Sequence, residues 1–296
     1  MFADSPGHEY VVTASVNLLP PPTVDNCIPT RFRLVASRFP DHPAVVNEHG
    51  TISYAALDTW SDRIAQQIRT VAGTEPRPLA IYLGQGAQAV AAILGVLKVG
   101  HFYAVLDPAI PDKRMESILE NLAADHVVTD MTNLAIMGGP LAQLQVIDCD
   151  VNPPESAQDT GYGALSPETL AAIYYTSGTT GIPKGVLFDH KLILHRASQD
   201  VQVYPLGPGD VTAMLFSPAY SSSASDIFGA LLNGGALTSD PTAHKSATEF
   251  RQWLDRQRVT VLHLHATMLR ELLDSLPADY HFEHLRYVRV SGGTRT

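Results

Sequence analysis

Short apolar runs alternate with longer amphipathic segments along most of this chain, and that order limits the fold more than any other feature. Leu79-Ala80-Ile81-Tyr82-Leu83 has no polar side and reads as a strand covered on both faces. Ala87 to Lys98 follows as a helix apolar almost all round, then Phe102 to Val105 as a strand. An amphipathic helix is expected over Asp112 to Leu122, with strands at His126–Thr129 and Leu144–Ile147. Upstream, Leu57, Trp60, Ile64 and Ile68 fall on one side of a helix and Asp62, Arg63, Gln66 and Gln67 on the other, with Ser53 placed to cap it. Strand and helix in this order predict an α/β fold with largely parallel sheets packed by helices.

Residues 149–168 are rich in Asp, Asn, Pro, Gly and Ser and interrupt the pattern. It then resumes: strand Leu170–Tyr175, helix Lys191–Val201, strand Val211–Phe216, and helices Ser225–Leu232 and Glu249–Gln257. Strand Val259–Leu264, helix Met268–Leu276 and strand Leu285–Val290 complete it. Residues 1–24, with the Leu19-Pro20-Pro21-Pro22 run and no period, are expected to be a loosely attached leader. The rest, 25–296, reads as one large domain with two sub-structures, about 25–150 and 165–296.

Composition narrows the function. With 45% hydrophobic residues among 296, a substantial core can form. The 20 Lys and Arg against 30 Asp and Glu leave a formal charge of −10, which argues against a nucleic-acid partner. The longest apolar run, Ala87 to Leu97, is too short for a membrane span, which needs about 20 residues. No secretory signal is evident, so a cytoplasmic protein is expected. Cys27 and Cys149 stand in no metal-binding or disulfide spacing and are expected to be reduced thiols.

One stretch carries chemistry: Tyr175-Thr176-Ser177-Gly178-Thr179-Thr180-Gly181-Ile182-Pro183-Lys184-Gly185-Val186. An apolar strand delivers the backbone into a loop whose small residues let N–H groups converge on an anion, with hydroxyls as further donors. Lys184 adds a mobile positive charge at the far lip, suited to nucleotide phosphates. The spacing is not that of a Walker loop, because Gly178 is followed by Thr-Thr-Gly-Ile-Pro-Lys. A Ser/Thr/Gly-rich loop considered alone is a surface turn.

The full string resembles the signature loop of the acyl-adenylate-forming superfamily, which includes peptide-synthetase adenylation domains, acyl-CoA synthetases and luciferases. Three other segments are similar to the same family, in the order it requires. They are Thr51-Ile52-Ser53-Tyr54-Ala55-Ala56-Leu57; Leu97 to Pro108 with Pro111 and Arg114; and Asp226 to Gly235. The stretch from Leu97 resembles peptide-synthetase adenylation domains in particular.

The resemblance implies the N-terminal core of an adenylate-forming enzyme. Such an enzyme joins a carboxylic acid to ATP, with Mg²⁺, releases pyrophosphate, and passes the acyl-adenylate to a thiol, the pantetheine of a carrier protein or CoA. Thr176, Ser177, Gly178, Thr179, Thr180, Gly181 and Lys184 then face the pyrophosphate. Tyr220, Ser221, Ser225, His263, Val290 and Gly292 line the acid site. Where α-amino-acid-activating domains carry Phe-Asp, this chain has Tyr220-Ser221, so the substrate is expected to lack an α-amino group or to place its amine elsewhere. A slip of one or two residues in that correspondence brings Asp226 to the pocket instead.

His263 and His265 share one side of a strand, but no third metal ligand is evident, and no protein metal site is expected. Ala266 and Thr294 depart from the family's usual Pro and Glu. The family's Mg²⁺-binding Glu, ribose-binding Asp, hinge and C-terminal lid with its catalytic Lys have no counterpart before Thr296, so the 296 residues alone are expected to be weakly active or inactive. A complementary C-terminal half is then an expected partner. Two other readings stay open: a truncated, non-catalytic homologue that binds nucleotide, acid or a partner, and a different nucleotide-binding protein such as a kinase. Against the kinase stands the lack of a Walker Lys-Ser/Thr pair or kinase triplets.

Overall fold

The computed structural model describes residues 19–48, 50–150, 165–176, 183–239, 246–277 and 279–291. The chain begins with helix α1 (Ile28–Arg38) and a hairpin, β1 (Pro43–Asn47) and β2 (Gly50–Ser53), then α2 (Tyr54–Ala72), β3 (Pro78–Tyr82), α3 (Ala87–Val99) and β4 (Phe102–Val105). It continues through α4 (Asp112–Leu122), β5 (His126–Thr129), α5 (Met131–Ile136) and β6 (Gln145–Asp148) to β7 (Leu170–Thr176) and β8 (Lys184–Asp189). The last stretch holds α6 (His190–Val203), β9 (Val211–Ala213), α7 (Ser221–Leu231), β10 (Ala236–Thr238), α8 (Ala247–Arg256), β11 (Val261–His265), α9 (Ala266–Asp274) and β12 (Tyr287–Ser291).

Among the described residues these strands form two six-stranded sheets, with orders β6-β5-β3-β4-β7-β8 and β12-β11-β9-β10-β1-β2. All pairings are parallel except β7 with β8 and β1 with β2. The fold is therefore α/β with largely parallel sheets, as the alternation predicts. Sheet membership does not follow the expected sub-structures. β1 and β2 join the second sheet through Val45 and Val46 opposite Leu237 and Thr238 of β10, and β7 and β8 close the first.

The main core lies between the sheets, where α1, α2, α3, α6 and α7 bury Phe32, Leu57, Ile93, Leu194 and Phe228. α4 covers the outer face of the first sheet with Met115 and Ile118, and α8 and α9 cover that of the second with Trp253 and Leu272. α3 lies close on α2 because Gly95 has no side chain: a Cβ there would sit 2.8 Å from Ile64 Cγ2. Beside that contact, Lys98 buries its ammonium 2.8 Å from Asp62 and also against Asp58. α2 starts where Ser53 accepts a hydrogen bond from Ala56 N, and α3 ends at Gly100 in the left-handed region, φ 91°. Cys27 and Cys149 are buried free thiols, and burial pushes the Cys149 thiol up. No helix among the described residues is long and apolar enough to cross a membrane.

Candidate functional site

β7 runs parallel to β4 and leaves the sheet at its C-terminal edge, where Thr176 pairs with Lys184 on returning β8. Thr176 Oγ1 donates to the Lys184 carbonyl at 3.4 Å, and both residues are exposed. This pairing brings the two ends of the 177–183 segment together at that edge, which is where open parallel sheets receive ligands. Ser177, Gly178, Thr179, Thr180 and Gly181 lie outside the described residues.

The base of the hairpin is fixed. Tyr174 and Tyr103 share a buried hydroxyl contact of 2.9 Å, Tyr175 donates to Asn121 Oδ1 at 2.9 Å, and the Tyr174 ring meets Phe188 edge-on. A side chain at Gly185 would meet Ile173 Cγ2 at 2.8 Å. Along the same edge, the segments after β3, β4 and β5 line a cleft of about 370 Å³ that includes Gln85, Asp107, Asp130 and Asn133.

From that cleft the Gln85 amide reaches the second sheet, donating to the carbonyls of Met214 and, at 3.2 Å, Phe216. The C-terminal edges of the two sheets thus meet. Phe216 is buried with its ring 4.6 Å from those of both His263 and His265. β11 carries the histidines and faces α7, which begins at Ser221, four residues before the expected start. Tyr220 precedes the helix and is half exposed, while Ser221 and Ser225 are partly buried on successive turns.

His263 Nδ1 donates to Asp226 Oδ1 at 2.9 Å, whereas His265 reaches only the Ser291 carbonyl at 3.3 Å. The two histidines therefore answer to separate partners among the described residues. Gly292 lies outside the described residues. Val290 does not join His263. In the β11–β12 register Val290 sits opposite Leu264 and is half exposed, while Arg289 sits opposite His263. Side chains alternate along a strand, so Arg289 and not Val290 shares the His263 face.

Arg289 spans back to α6, its two terminal nitrogens each 3.3 Å from an oxygen of Asp200. Asp226 and Asp200 are buried. Burial pushes both carboxyls up, opposed at Asp226 by the His263 hydrogen bond and at Asp200 by the Arg289 charge. One oxygen of Asp226, Oδ2, is buried with no hydrogen-bond partner among the described residues. Neither Arg289 nor Asp200 stands out in the sequence, where a strand arginine between valines reads as solvent-facing. The usable signal is the spacing Tyr287, Arg289, Ser291, whose polar side chains alternate with Val288 and Val290.

The AMP-binding enzyme family matches residues 32–296. The chain belongs to that family. Surfactin synthase subunit 1 of Bacillus subtilis (strain 168) is 34% identical over 215 residues, 72% of this chain and 6% of the relative. Syringomycin synthase SyrB1 of Pseudomonas syringae pv. syringae is 33% identical over 264 residues, 87% of this chain and 42% of the relative. The chain thus spans less than half of either. Among solved structures, the AMPPNP-bound form of the nonribosomal peptide synthetase FmoA3 superposes with a TM-score of 0.82 at 26% identity, covering 93% of this chain and 29% of that one. The N-terminal subdomain of Klebsiella oxytoca NpsA gives 0.80 at 23% identity, covering 91% and 68%. The two mostly parallel sheets are the fold of these AMP-binding adenylation subdomains.

Proposed function

We propose that this chain serves ATP-dependent activation of a carboxylic acid as an acyl-adenylate, releasing pyrophosphate, for transfer to the thiol of a carrier-protein pantetheine or CoA. ATP with Mg²⁺ supplies the phosphorus that the acid's carboxylate attacks and the pyrophosphate that departs. The observation that carries this reading is the Thr176–Lys184 pairing, which brings the two ends of the Ser, Thr and Gly string together at the C-terminal edge with an exposed lysine beside them. Such a hairpin fits a polyphosphate: Thr176, Ser177, Gly178, Thr179, Thr180 and Gly181 supply hydroxyls and amides, and Lys184 supplies positive charge to the leaving group. Gly185 fixes where that lysine stands, since its close approach to Ile173 leaves no space for a side chain.

The acid belongs on the face shared by α7 and β11, next to the edge that Gln85 ties to the first sheet. Ser221 opens α7 with a hydroxyl and no charge, so an α-ammonium there would lie without a counterion. A hydroxy, keto, aryl or β-amino acid fits better. The solved NpsA N-terminal subdomain, of the same fold, holds 3-hydroxybenzoyl-AMSN, and NpsA has also been solved in an artificial adenylation–PCP fusion. The test is acid-dependent exchange of labelled pyrophosphate into ATP, run on this chain extended to the length of its relatives or coexpressed with a complementary C-terminal segment. Exchange that needs Lys184 supports the reading, and absence of exchange with every acid overturns it. Replacing Ser221→Asp should shift preference toward α-amino acids; an unchanged preference removes Ser221 from the acid site.

A further inference from the structure

The polar groups beneath α7 do not balance among themselves. His263 takes Asp226 Oδ1, Arg289 is turned to Asp200 through both terminal nitrogens, and Asp226 Oδ2 keeps no partner among the described residues although its side chain is fully buried. A buried acceptor left in this way costs about 1–3 kcal/mol, and more when charged. Arg289 is spent on Asp200, so the open oxygen of Asp226 favours an added donor and opposes an added carboxylate. Position matters as well. Asp226 lies five residues along α7 from Ser221, about 7.5 Å at a helix's rise per residue, and its bond to His263 sets the carboxyl between α7 and β11.

We infer that Asp226 is the specificity-determining acceptor of the acid site, and that the acid carries a hydroxyl or amine donor at the end remote from its carboxylate. This rests on the adenylating reading above. It also makes Arg289 and Asp200 positioning residues, because their mutual pairing withholds the guanidinium from Asp226 and leaves Oδ2 for the ligand.

The test uses calorimetry on the same extended chain with sulfamoyl-adenosine analogues of matched acids: 4-hydroxybenzoyl against benzoyl, and 4-aminobutanoyl against butanoyl. Magnesium–AMPPNP is titrated first into the wild-type protein. Its failure to bind overturns the adenylating reading and this inference with it. Given nucleotide binding, the donor-bearing member of at least one pair should bind about tenfold tighter or better, since a site built around a hydrogen bond rejects the analogue lacking it. Equal affinities within both pairs overturn the inference and leave adenylation standing. In Asp226→Leu, with folding checked by circular dichroism, the advantage should shrink to below about threefold. An advantage that persists shows Asp226 to be a purely structural partner of His263. Should the variant fail to fold, the wild-type ratio alone still decides the main claim.

Discussion

The two ends of the proposed site are built in opposite ways. At the hairpin, Thr176 and Lys184 stand in solvent on a base locked by Tyr103, Tyr174 and Tyr175, so chemistry there is separable from stability. Beneath α7, Asp226, His263, Arg289 and Asp200 hold one another while mostly shielded from water, and there recognition and stability are one problem. A phosphate is the same in every reaction of this kind and is served by amides and a mobile cation. The acid varies, and discriminating it needs fixed, desolvated polar groups.

Substitutions can break this contrast. The largest effect is expected for Arg289→Ala, which strands the Asp200 carboxylate: about 4 kcal/mol lost in urea unfolding, largely recovered when Asp200→Asn is added. If the single change costs nothing, the pair is a surface bridge and the contrast fails. Next comes pH. The hairpin that exposes Lys184 at one end of β8 leads into buried His190, whose Nδ1 accepts from Ile28 N at 3.3 Å.

Burial lowers the His190 imidazole to about 4, against a smaller raising effect of Asp189. The unfolded chain, with its ordinary value near 6.5, takes the proton first. Stability from this group is therefore full above about pH 6.5 and falls by about 3 kcal/mol as pH drops toward 4. Urea titrations at several pH values should show that limb in the wild type and lose it in His190→Asn.

At the hairpin, Lys184→Ala should lower pyrophosphate exchange about 100-fold and leave the melting temperature unchanged. A parallel fall in stability would make Lys184 structural and erase the difference between the two ends. The smallest effect is expected of Val290→Thr. On the face away from His263 it should change stability by less than about 0.5 kcal/mol and leave acid preference alone. A change in preference would return Val290 to the site.

What the sequence revealed followed from burial on both sides. The strands Phe102–Val105 and His126–Thr129 and the helix Asp112–Leu122 were legible to the residue, because continuous apolar runs and a clean helical face leave one register. The family was legible because the full string from Tyr175 to Val186 resembles its signature, where a Ser/Thr/Gly-rich loop alone would read as a turn. Less was legible where elements are short or one-sided. β10 has three residues and is completed only by its neighbours β1 and β9, and the start of α7 is hidden in a run of serines. On β12, with a partner on one side among the described strands, the outward valines imitate a core face and the inward arginine imitates a surface. Long-range pairing decided each of these, and single-sequence periodicity carries no record of it.

The early hairpin has a consequence for how the molecule is made. β1 and β2 emerge from the ribosome with Val45 and its neighbours ready to pair, yet their parallel partner, Leu237 in β10, is synthesised some 190 residues later. All six strands of the other layer, β3 to β8, are synthesised in the meantime. Until then a two-stranded ribbon with an open rim must wait, and nascent-chain crosslinking should find it in the grip of a chaperone until Ala236–Thr238 appears.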